Sequence, residues 1–129
     1  LDLINSLIPA VESQYRVSKD ARQRVYAGLS AGASRGQNIL FNSPEAFGVF
    51  GLWSGGKSIP SDELYADPDF LAVRGIHIRC GLSDRPSQEQ VDSLVAHGMR
   101  VDAKFIPGCH TWYVWRDALR DLLTTLPLN

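Results

Sequence analysis

The chain has 129 residues, enough for one domain, with 44% hydrophobic and 21% charged residues, a balance that excludes disorder and fibrous repeats. The formal net charge of -1 excludes the broad basic field of a nucleic-acid binder. No run reaches the ~18 apolar residues of a membrane span.

No positive stretch followed by an apolar run opens the chain, so no signal peptide is expected. Leu1-Asp2-Leu3-Ile4 begins in mid-pattern, like a piece of something longer. Apolar positions at Leu3, Ile4, Leu7, Ile8 and Val11 predict a helix that Pro9 kinks or restarts. Val25–Leu29 is a short apolar strand, and Ala31–Phe41 a helix ended by Asn42-Ser43-Pro44. Phe47–Trp53 is a second strand, broken by Ser54-Gly55-Gly56, and Ser61–Phe70 a short polar helix or loop. Gly75–Cys80 is a third strand. Ser87–His97 is an amphipathic helix with Val91, Leu94 and Val95 on one face, stopped by Gly98. Val101–Ile106 is a fourth strand, and Trp112–Leu126 a last helix with Trp115, Leu119, Leu122 and Leu123 inward. Strands alternating with helices predict an α/β domain over residues 1–129, a parallel sheet of about four strands between helical layers. The first strand is apolar enough to expect cover on both sides.

Gly28-Leu29-Ser30-Ala31-Gly32 has the form Gly-x-Ser-x-Gly, with a strand before it and a helix after it. Such a turn strains the serine backbone and lifts its hydroxyl to the carboxyl rim of the sheet. The flanking glycines are expected to let strand and helix approach closely. Ser30 is thus a candidate nucleophile, the alternative being a small-residue packing turn. A serine needs a base. His77 lies within a strand and His97 at a helix end, whereas His110 follows the fourth strand in a loop on Ser30's rim. An acid should orient that imidazole. Asp84 leaves the third strand on the same rim, whereas Asp102 starts its strand, roughly 15 Å away at about 3.3 Å per residue. Asp92 lies in a helix, and Asp67 and Asp69 in the irregular stretch. The order Ser30, Asp84, His110 is that of α/β-hydrolases.

With these residues in place, the chain resembles the second half of the esterase family of α/β-hydrolases that includes esterase D, feruloyl esterases, enterochelin-type esterases and mycolyltransferases. The resemblance rests on Leu3–Glu12 with Tyr15-Arg16-Val17, Ala27–Gly32, Pro44–Gly48 with Ser54-Gly55, and Gly108–Trp112 with Trp115. It implies Ser30 as nucleophile, His110 as base and Asp84 as acid. It departs at Ala33 and Cys109, where members often have glycine. The family's first strands would precede Leu1. The Ala31 N–H is one expected oxyanion donor, and the second would come from those earlier strands. Losing one donor costs about 2.7–4 kcal/mol, so the chain by itself is expected to be a slow catalyst.

Gly51–Ser58 satisfies the phosphate-loop pattern literally, but Ile59-Pro60 follows where a helix is required. Cys80 and Cys109 fall at the ends of neighbouring strands, as two buried thiols or a disulfide. Trp112, two residues after His110, is expected to line the substrate pocket, and Trp115 to pack in the core. No cofactor or metal site is expected. The reading is a serine hydrolase of small carboxylic esters, or an acyltransferase. The alternative is a non-catalytic module whose edge strand Val25–Leu29 pairs with a second copy or another chain.

Overall fold

The computed structural model describes residues 2–126; Leu1, where the abrupt start was noted, lies outside them. A π-helical turn, Leu3–Leu7, runs into α1 (Ile8–Gln14). Pro9 sits in the first turn of α1, and the backbone stays helical through Leu7 and Ile8, so the proline marks the change from π to α pattern without breaking the helix. Glu12 holds Arg24 at 2.6 Å and ties α1 to the chain ahead of the sheet.

The sheet is formed by β1 (Val25–Leu29), β2 (Val49–Trp53), β3 (Gly75–Gly81) and β4 (Val101–Ile106). All pairings are parallel, in the order β1-β2-β3-β4. Register places Leu29 beside Trp53, Trp53 beside Arg79 and Gly81 beside Ile106. The carboxyl ends of all four strands therefore line one rim. Central β2 is buried throughout and β3 nearly so, as expected of strands covered on both faces.

α2 (Ala31–Asn42) and α5 (Gln88–Ala96) cover one face. Their Ala33, Leu40, Val91 and Leu94 meet Phe50, Leu52, Ile76 and Ile78 in the larger core. The short helices α3 (Asp62–Tyr65) and α4 (Pro68–Leu71) bring Phe70 into it. α6 (Trp112–Thr125) covers the other face with Val114, Trp115, Ala118 and Leu122 against Val49 and Trp53. Alternation along β2 separates the cores: Phe50 and Leu52 face one, Val49 and Trp53 the other. The expected α/β architecture of three layers is borne out. Beneath α6, buried Arg79 bonds Asp102 at 3.1 Å and Asp121 at 3.3 Å, joining β3, β4 and α6.

Three expectations need correction. Leu119 and Leu123 are 46% and 61% exposed, because α6 meets the sheet on a narrower stripe centred on Val114 and Ala118. Val95 is also exposed, and Gln90 takes the inward place on α5. β1 packs Tyr26 against one core and Val25 and Leu29 against the other, but at the edge of the sheet that cover is partial and the strand stays half-buried.

Candidate active site

The turn from β1 to α2 places Ser30 at φ 54° and ψ −118°, a backbone region that costs a non-glycine residue about 1–3 kcal/mol. Surrounding bonds hold it there. The Ser30 N–H donates to Trp53 O at 2.9 Å, and Ser30 O accepts from Ala33 and Ser34 at 3.1 and 3.2 Å as α2 begins. A Cβ on Gly28 would lie 2.5 Å from the Gly32 carbonyl, so the turn keeps this close approach of α2 to β1 only with glycine at 28. Gly32 is different: a Cβ there meets open space, which corrects the expectation that both glycines make room.

The Ser30 side chain makes no cap bond to α2. Its Oγ lies instead 2.9 Å from His110 Nε2, and His110 Nδ1 lies 2.8 Å from Asp84 Oδ2. With Nδ1–H donating to the carboxylate, Nε2 is left to accept from the serine hydroxyl. The structure thus brings Ser30, His110 and Asp84 together. His110 and Asp84 reach this position because their loops interlock. Ser83 N–H donates to Gly108 O at 2.9 Å, and Leu82 N–H to Ile106 O at 2.8 Å. Gly81 packs so closely that a Cβ would lie 2.4 Å from Gly108 O. The Trp115 ring meets His110 edge-on at 5.0 Å. Ala31 opens α2, so its N–H has no carbonyl one turn back within the helix and remains open to an anion.

Leu29, Trp53, Trp112, Tyr113, Trp115, Arg116 and Leu119 line an almost wholly apolar groove of about 400 Å³. Trp112 is 73% exposed and Trp115 buried. The other histidines stand apart. His77 Nδ1 accepts from Trp53 Nε1 at 3.0 Å. His97 Nδ1 bonds Ser93 O at 2.8 Å and stacks on Tyr65 at 3.6 Å. Asp102 serves Arg79, Asp92 accepts from Gln88 Nε2, and Asp67 caps α4. Both cysteines are free, Cys80 buried with burial raising its thiol pKa, and Cys109 exposed rather than buried. No helix among the described residues is long and apolar enough to cross a membrane.

Sequence reasoning missed Lys57. Its Nζ donates to the carbonyls of Asp84 and Arg85 at 2.7 and 3.0 Å. The only sequence cue was the phosphate-loop pattern, in which that lysine has a different role.

No protein-family profile matches the sequence. The chain is 33% identical over 127 residues to an endo-1,4-beta-xylanase/feruloyl esterase of Xylanibacter ruminicola; the match covers 96% of this chain and 17% of that protein. A solved ferulic acid esterase shares the fold with a TM-score of 0.77 at 24% identity, over 95% of this chain and 58% of the other. A fluorophosphonate-binding serine hydrolase of Staphylococcus aureus aligns with a TM-score of 0.71 at 17% identity, over 95% of this chain and 61% of the other. The chain thus spans about a sixth of that curated relative and about three-fifths of those solved chains. Over that partial length, sequence and fold match the esterase family of α/β-hydrolases.

Proposed function

We propose that the chain carries the catalytic core of a serine esterase acting on carboxylic esters of aromatic acids. One observation carries this reading: an unbroken line from Ser30 Oγ through both His110 nitrogens to Asp84 Oδ2, with links of 2.9 and 2.8 Å. Ser30 attacks the acyl carbon while His110 Nε2 takes its proton. Asp84 keeps the proton on Nδ1 and stabilises the imidazolium. The Ala31 N–H donates to the tetrahedral oxyanion. His110 then protonates the departing alcohol, and a water activated by the same imidazole frees the acid and restores Ser30. An alcohol in place of that water makes the reaction an acyl transfer.

The acid class is drawn from the groove, which offers Trp112 and Tyr113 as flat apolar walls beside Leu29. The feruloyl and ferulic acid esterases among the similar proteins favour the same class. The test is fluorophosphonate labelling with mass mapping, paired with turnover of aryl and acetyl p-nitrophenyl esters. Stoichiometric modification at Ser30, lost in Ser30→Ala, supports the reading; labelling elsewhere, or none, overturns it. The second reading rests on β1, whose burial is that of an edge strand. There the strand pairs with a second copy or a partner chain, and a monomeric mass by light scattering counts against the second copy.

A further inference from the structure

The segment between β2 and α3 has no regular structure, yet buried side chains hold it from two helices. Gln37 of α2 and Gln90 of α5 are both buried. Gln37 Nε2 donates to Gly56 O at 2.7 Å and Ser58 O at 3.2 Å. Gln90 Nε2 donates to the same two oxygens at 2.6 and 3.1 Å. Ser58 N–H returns a bond to Gln37 Oε1 at 3.4 Å. Lys57 is thus anchored on both sides by residues that cannot shift without orphaning buried amides.

From this anchor the lysine side chain reaches the turn that carries Asp84. Its ammonium donates to Asp84 O at 2.7 Å and Arg85 O at 3.0 Å, both charge-assisted. Cys80 Sγ adds a weaker bond to Asp84 O at 3.4 Å. Arg85 stands at φ 51°, a left-handed conformation that a non-glycine residue keeps only where its surroundings impose it. The lysine is therefore committed to two protein carbonyls, which leaves it no part in holding a phosphate.

We propose that Lys57 is a positioning residue for the ester chemistry: it fixes the Asp84 turn from the glutamine-clamped loop so that Oδ2 meets His110 Nδ1. This rests on the hydrolase reading above. In that role Lys57 touches no substrate, and its effect passes through Asp84 alone.

The test compares Lys57→Met, Lys57→Arg, Asp84→Asn and the Lys57→Met/Asp84→Asn pair, reading the fluorophosphonate labelling rate, kcat and KM. Lys57→Met should lower kcat and labelling by about ten- to a hundredfold with KM little changed, as for a misplaced catalytic group. Lys57→Arg, which keeps the charge and more than one donor, should recover most of that loss. In the Asp84→Asn background Lys57→Met should add almost nothing, since the group it positions has lost its charge. A Lys57→Met kcat equal to the parent's overturns the proposal. So does a loss that multiplies in full with that of Asp84→Asn, because a general loosening would act in either background. Ser30→Ala labelled like the parent would sink the hydrolase reading itself, an outcome distinct from either.

Discussion

Trp53 Nε1–H donates to His77 Nδ1 across two neighbouring strands at 3.0 Å, where the histidine is only 3% exposed. This bond requires a bare Nδ1. Protonation would set a second N–H against the indole donor, and Nε2 has no partner among the described residues to reward the charge. Burial first, then the Arg79 charge, lowers the His77 pKa to about 4 against the partial pull of Asp102 and Asp121. The unfolded imidazole titrates near 6.5. Below that pH the unfolded chain takes up a proton that the folded chain refuses. Stability is therefore full above about pH 6.5 and falls as pH drops toward 4, by roughly 3 kcal/mol at most. Urea melts at about pH 7.5 and about pH 4.5 should differ more for the parent than for His77→Gln. The same difference in both would remove His77 as the cause.

The two glycines around Ser30 should part ways on substitution. A methyl at 28 meets the Gly32 backbone at 2.5 Å, and backbone cannot swing aside as a side chain can. Gly28→Ala should cost about 1–3 kcal/mol and slow labelling of Ser30, since α2 must move off β1. A methyl at 32 meets nothing within 4 Å. Gly32→Ala should leave labelling intact and raise stability by up to about 1 kcal/mol through helix propensity. Denaturant midpoints for the pair decide it, and a destabilised Gly32→Ala contradicts the open space.

Asp84→Asn keeps the size of the side chain but removes its charge and can turn a donor toward His110. The imidazole then loses both its tautomer and its counter-charge. With Oδ2 at 2.8 Å from Nδ1, kcat should fall by about 10³–10⁴ at nearly constant KM. Asp102→Asn should leave kcat alone, because that carboxylate bonds Arg79. Single-turnover rates for both variants check the assignment. Comparable losses in the two would deny Asp84 its role.

How much of this was legible depends on the scale of the interactions. Strand ends are readable because glycine, serine and aspartate punctuate them, and parallel topology then puts Ser30, Asp84 and His110 on one rim. The sheet needed no more than that alternation. The inward stripe of α6 was misread because leucine outranks alanine in hydrophobicity. Contact with Val49 and Trp53 of β2 selects Val114 and Ala118 instead. Lys57 was invisible for a different reason. A lysine in a polar loop looks solvated, and its anchoring comes from Gln37 and Gln90, 20 positions before it and 33 after it in the sequence. No local pattern records a clamp made of two distant helices.

Trp112 separates acid recognition from the chemistry. It is 73% exposed, stands edge-on to Trp115 at 5.2 Å, and shares the apolar groove with Leu29 and Tyr113. Little of the fold depends on so exposed a ring, so Trp112→Ala should melt within a few degrees of the parent. An aromatic acyl group would lose a stacking partner worth about 0.5–1.5 kcal/mol beyond simple area. That corresponds to roughly a two- to thirteenfold lower kcat/KM on aryl esters. Acetyl esters carry no aromatic acyl ring to stack on Trp112 and should react as before. The ratio of the two rates is the measurement, since any general damage to Ser30 or His110 cancels from it. An unchanged ratio would move the acyl site away from this groove while leaving the Ser30–His110–Asp84 line untouched.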